Sequence, residues 1–278
     1  MTYSENKIIS LNSNYGIQKN GTLLSYMLFN TGLILEEEDS IIDSHISVIN
    51  AQIPVSFYTV TSLNNAISAS FVGGYNTYLI PIGNYNSNSL IIALQTLLSN
   101  SITVTFNNLT GGFKFESATL TIFSFNFNIT NSAYQILGFL KSTYTTAISI
   151  ISSPYPINLL GVKRISIKSN SFATSSFSSS GSDNTLCVIP CDVPSYNMIS
   201  YQNSNNTDKQ KIRLKNINQV DILIYDENNN LLDFNNISWT LTLCLENIRI
   251  QPKPSLTFNQ IIQQENLGDN ELDLLTNS

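Results

Sequence analysis

The chain holds a single histidine, His45, so any Ser-His-Asp or Cys-His chemistry would have to run through that one position. His45 falls in an Ile- and Val-rich stretch that predicts a strand, where a satisfied or exposed imidazole is the expected role. Cys187 and Cys191 stand four residues apart with Pro190 between them, and only Cys244 and His45 could complete a tetrahedral zinc shell from elsewhere. The run Glu36, Glu37, Glu38, Asp39 has the charge a cation would want, but consecutive carboxylates on one loop read as a solvated face. Asp192, Asp221, Asp226, Glu116 and Glu246 supply acids for glycoside hydrolysis, with no spacing that places two of them across a cleft. Phosphate-cradling glycine motifs are absent, and Gly73-Gly74 precedes a strand where a dinucleotide fold would want a helix start. The expectation is no catalytic residue, no metal and no cofactor.

Composition narrows the classes further. Thirteen Lys and Arg against 19 Asp and Glu leave a net charge of -6 with no basic cluster, which predicts no direct nucleic-acid ligand. Three cysteines in 278 residues argue against a disulfide framework and suit a reducing compartment. No apolar run approaches the ~20 residues of a spanning helix, and residues 1–20 lack the pattern of a secretory signal. Triplets of the form Asn-x-Ser/Thr at Asn20, Asn108, Asn128, Asn205 and Asn236 are expected by chance in a chain this rich in Asn, Ser and Thr.

The elements that would carry these side chains are mostly strands. Ile, Val, Thr, Phe and Tyr alternate with turn-forming Asn, Ser and Gly, the balance of an all-β domain. Ile41 to Val60 reads as a long strand whose alternation slips between Val48 and Ile49, as at a bulge, with Pro54 limiting its place in a sheet. Thr77 to Ile82 is another strand. Leu90, Leu94, Leu97 and Leu98 share one helix face, with Ser87 or Ser89 as cap. Ile102 to Phe106 and Phe113 to Phe115 form a hairpin, and Phe123, Phe125, Phe127 and Ile129 line one face of a following strand. Strands are expected again at Val162 to Lys168, Leu186 to Ile189, Lys211 to Leu214, Val220 to Tyr225 and Ser238 to Ile250. The serine-rich residues 171–184 read as a mobile exposed loop. After Pro252 and Pro254 comes a tail, acidic beyond Glu265, in which Phe258, Ile261 and Ile262 have helix spacing.

A series of short motifs, in order, carries a resemblance. Ile53-Pro54-Val55-Ser56-Phe57-Tyr58-Thr59-Val60 with Asn64-Asn65, Ile80-Pro81-Ile82-Gly83-Asn84-Tyr85 with the helix to Leu98, and Ala133 to Phe139 resemble elements of vertex and minor capsid proteins from virophages, Polinton-like viruses and related large DNA viruses. Pro156 to Leu159, Val188-Ile189-Pro190 before Tyr201, and Val220 to Asp226 with Trp239 to Leu245 continue the similarity across residues 40–250. The resemblance implies a single jelly-roll β-sandwich of two four-stranded antiparallel sheets, with one or two short helices and a C-terminal tail. It implies a homopentamer at the fivefold vertices of an icosahedral capsid that contacts the major capsid protein, and so a virion protein made in the host cytoplasm. The expected organisation is an arm with first strands over 1–39, a body over 40–250 and a tail over 251–278 that contacts internal cement or membrane-associated virion proteins. Two other classes stand beside it: a jelly-roll carbohydrate-binding or host-attachment protein using exposed Asn, Tyr and Trp239, and a glycanase built on Asp192, Asp226 or Glu246.

Overall fold

A computed structural model describes residues 2–19, 21, 24–33, 41–71, 73–98, 102–119, 121–146, 148–172, 176–178, 181–204, 208–212 and 217–250. The tail from Gln251, the acidic run at 36–39 and residues 213–216 lie outside this set.

The chain begins with strands β1 (Thr2–Asn12), β2 (Ile17–Gln18), β3 (Tyr26–Leu33) and β4 (Ile41–Pro54). It then builds β5 (Ala66–Ser70), β6 (Asn76–Leu79), helix α1 (Ser87–Leu97), β7 (Ile102–Asn107), β8 (Gly112–Ser117), β9 (Ser124–Asn126), β10 (Thr143–Thr145) and β11 (Ile150–Ser152). It closes with β12 (Arg164–Lys168), β13 (Ser176–Ser178), β14 (Gly181–Asp183), β15 (Thr185–Pro190), β16 (Met198–Gln202), β17 (Gln210–Ile212), β18 (Ile217–Tyr225) and β19 (Thr240–Ile250).

Two antiparallel sheets face each other. One has the order β1-β19-β4-β16, with β17 also pairing β4; the other runs β15-β12-β18-β3-β2. Without the two-residue β2, and with β16 and β17 taken as one interrupted edge, these are two four-stranded sheets. Early strands pair with late ones: β1 with β19, β3 with β18, β4 with β16 and β12 with β15. That nested pairing is the jelly roll, so the expected all-β class and architecture hold. Alternation explains the packing between the sheets: Leu241, Leu243 and Leu245 point inward from β19, Val220, Ile222 and Ile224 from β18, and Met27 and Phe29 from β3.

Ile49 is skipped in the ladder of β4 against β19, where Thr242 faces Asn50 and Leu243 faces Val48. The bulge read from the slipped alternation is therefore present. β1 pairs over its full length with β19 as an edge strand of the sandwich.

Between β4 and β12 the chain forms a second apolar core, separate from the first. Its members run from Val60 to Ile151 and include Phe113, Phe115, Phe123, Phe125, Phe127 and Phe139, with Leu90 and Leu94 of the helix and Leu98 at its C-cap. A four-stranded sheet, β10-β9-β5-β6, and a three-stranded one, β11-β8-β7, enclose it. The helix and phenylalanine hairpin predicted from sequence thus lie beside the sandwich, not in it. Asn86 is the actual N-cap of α1: its side chain accepts from the Ser89 amide, and the Ser89 hydroxyl closes the capping box. Most strands end within a few residues of expectation, but the one through Phe125 keeps ladder pairing only over Ser124–Asn126.

Candidate assembly surfaces

The motif residues from Ser56 to Asn65 and from Ile80 to Asn84 gather at the neck between the two cores, whereas those of Val188 to Pro190, Val220 to Asp226 and Trp239 to Leu245 belong to the sandwich. Ser56 donates its hydroxyl to the Phe234 carbonyl at 2.7 Å, tying the end of β4 to the turn before β19. Val60 and Gly83 exchange two backbone hydrogen bonds of 3.0 Å, and the Asn84 side chain accepts from the Thr59 amide at 2.8 Å. Asn64 accepts from the Thr61 amide, while Asn65 donates to the Ile80 carbonyl at 3.0 Å. These side chains satisfy backbone groups that leave regular pairing where one core hands over to the next. In the Ile-Leu-Gly-Phe segment, Gly138 has φ +75, and a Cβ there would collide with the Tyr155 carbonyl oxygen. Glycine is needed on both counts.

A second polar centre roots the serine-rich segment. Asp221, 5% exposed, accepts from the Ser169 hydroxyl at 3.0 Å, from the amide and side chain of Asn170, and from the amide and hydroxyl of Ser171, both at 2.6 Å. Burial opposes ionisation here, but the Ser171, Asn170 and Ser169 donors outweigh it and hold the carboxyl below its usual range. Above this root, β13 and β14 pair as a hairpin, so the predicted loop contains ladder structure. Its backbone pairing is not visible in a run of serines.

His45 sits on the outer face of the first sheet, across from Glu246 on one side and Lys211 on the other. Lys211 bonds to Asp43 at 2.9 Å, and Lys209 bonds to Glu246 at 2.6 Å, each holding its carboxylate below the ordinary pKa. Asp43 Oδ2 lies 3.9 Å from His45 Nε2. The other acids serve locally: Asp226 accepts from the Asn228 and Asn230 amides in its turn, and Glu116 pairs with Lys114.

Cys187 faces the sandwich core, where burial pushes its thiol well up, while Cys244 is on the opposite sheet beside the His45 strand. Among the described residues no group of three or more His, Cys, Asp or Glu could hold a metal. Trp239, offered above as an exposed sugar platform, is instead 1% exposed and donates Nε1–H to the Leu24 carbonyl at 2.8 Å. Its alternation with Leu241 and Leu243 already pointed inward.

Two uncharged patches lie on the flanks of the sandwich. Along β1 a groove of about 660 Å³ opens between the sheets, lined by Ile8, Leu11, Tyr15, Phe29 and Leu241 among others. Tyr15 is 87% exposed. The opposite flank presents Val188 of β15, Met198 of β16 and Tyr196 just before it, all exposed. Neither the groove lining nor residues 193–204 include Asp, Glu, Lys, Arg or His. Surfaces of this kind can be buried between subunits without desolvating unpaired ions.

No protein-family model matches the sequence, and no curated protein is similar to it. Among solved structures, the chain is similar to the mavirus penton protein, with a TM-score of 0.47 and 11% identity over 89% of this chain and 99% of that one. It is also similar to a chain of the Sputnik virophage seen by cryo-EM, with a TM-score of 0.41 and 15% identity over 89% of this chain and 98% of the other.

Proposed function

We propose that the chain is a structural subunit of an icosahedral virion, a penton or minor capsid protein that forms a homopentamer at the fivefold vertices and contacts the major capsid protein. The observation that carries this reading is the jelly-roll pairing of early with late strands, an arrangement used by capsid subunits, with a different uncharged patch on each of two opposite sheet edges, the β1 groove and residues 193–204. A closed ring needs two such unlike patches, because each subunit meets its neighbours head to tail. The motif series of the neck supports the same reading, since those residues hold the second core on the sandwich. The role is non-enzymatic: four of the five acids named from sequence, all but Asp192, are engaged in local structural contacts. The subunit is made in the host cytoplasm and resides in the virion, and the segment after Ile250 contacts proteins inside the shell. Native mass spectrometry of the purified chain, followed by reconstruction of the particle, tests the proposal. Five-copy species and density at fivefold vertices are expected; density at threefold sites or outside the shell would remove it. Deleting residues 255–278 is expected to lower assembly yield.

A further inference from the structure

The register across the first sheet sets the two flanks at the same height. Asn12 faces Thr240, Thr240 faces Gln52, and Gln52 faces Ser200, so the groove end of β1 is level with the middle of β16. Tyr15 lies just past that level on one side and Tyr196 just past it on the other. They are separated by three strand spacings, on the order of 14 Å. About an axis along the strands, head-to-tail contact between patches at one height turns without rising, the condition for a closed ring rather than a helix.

Tyr196 is unusual in itself. Its φ is +70, in the left-handed region that non-glycine residues avoid, and the residue is 74% exposed. The conformation is enforced by backbone bonds: the Tyr196 amide donates to the Val55 carbonyl at 2.8 Å, and the Val55 amide donates to the Asn197 carbonyl at 2.8 Å. A strained turn pinned to the neck therefore holds an aromatic ring out in solvent. Such strain gathers at functional positions, and tyrosines supply much of the binding energy at interfaces.

We infer that Tyr196 of one copy, with Met198 beside it, seats in the groove between β1 and β3 of the next copy, against Ile8, Tyr15 and Phe29. The groove volume of about 660 Å³ is ample for one tyrosine ring and a methionine. The charge match is neutral against neutral, so the contact carries no ion-desolvation cost. This assignment rests on the ring reading above and names the contact through which the ring closes.

The test uses the full-length chain. Tyr196→Lys and Tyr15→Asp, made singly, are each expected to raise the concentration for half-assembly by about tenfold or more. The Tyr15→Asp/Tyr196→Lys double variant places opposite charges at every interface and is expected to recover part of the loss. Unchanged melting temperatures would show that the exposed substitutions leave the fold intact. A separate Asn12→Cys/Met198→Cys variant is expected to form covalent multimers on oxidation. The two positions are too far apart to bridge within one chain. Assembly that survives both single substitutions, or a double-cysteine chain that stays monomeric, would overturn the contact while leaving the vertex role standing. A wild-type chain that never assembles would remove both.

Discussion

The two cores are assembled in opposite ways. The sandwich joins the far ends of the chain: Thr2 pairs with Ile250, and β1 follows β19 for eleven residues. The second core draws on one contiguous stretch, Val60 to Ile151, and fills it with aromatic rings, among them Phe127 stacked on Phe139 at 4.8 Å. Local contacts form with little loop-closure entropy, whereas the sandwich cannot close until both ends are present. Similar strand patterns thus hide two packing units with different folding demands.

The largest effects should come from emptying either core. Phe115→Ala and Trp239→Ala are each expected to cost about 3–5 kcal/mol, and Trp239→Ala also leaves the Leu24 carbonyl without its donor. Calorimetry then separates the cores: if they melt independently, each variant lowers one of two transitions, and a single shared shift would erase the distinction. Gly138→Ala sharpens the same contrast, with an expected loss of about 2–4 kcal/mol confined to the second core. A sandwich transition that moves with it would contradict the separation.

Asp221→Asn acts only on the sandwich, at about 2–3 kcal/mol, because it removes the charge from an acceptor of five hydrogen bonds. Its folded pKa lies below the unfolded value, so the stabilisation is complete above about pH 4 and disappears as pH falls through the folded pKa. The wild type should therefore lose sandwich stability in acid faster than Asp221→Asn does; parallel pH profiles would count against this account. At the neck, Ser56→Ala should cost about 1 kcal/mol and loosen the coupling between the two transitions. The smallest effect belongs to Lys211→Ala, whose exposed pair with Asp43 is worth roughly 0–1 kcal/mol in urea titration.

Much of this was legible in the sequence, for reasons tied to particular residues. The alternation of Leu241, Leu243 and Leu245 set the inward face of β19, and the slip at Ile49 located a bulge, because a period of two exposes any extra residue. Hydrophobic period reports which face is buried but not against what, so nothing in Phe113, Phe115 and Phe125 distinguished a second core from the sandwich interior. Ile8 to Leu11 has the pattern of a strand, but the first half of β1 does not, because Thr2, Ser4 and Asn6 face solvent and its strand character comes from pairing with β19, a partner about 240 positions away. The neck residues stood out as motifs, yet their task of satisfying backbone groups required the coordinates. Tyr196 gave no signal in advance, since a left-handed backbone at a tyrosine follows from the bonds around it rather than from its type.

The zipper of β1 on β19 also gives the molecule a head and a foot. Thr2 and Ile250 sit side by side at one extremity, while β4 runs into the phenylalanine-rich unit at the other. A label or cargo domain joined directly at either of these residues would therefore start from the same side, remote from that unit. For the shell role proposed above, one genetic fusion would then report which way the foot of the molecule faces.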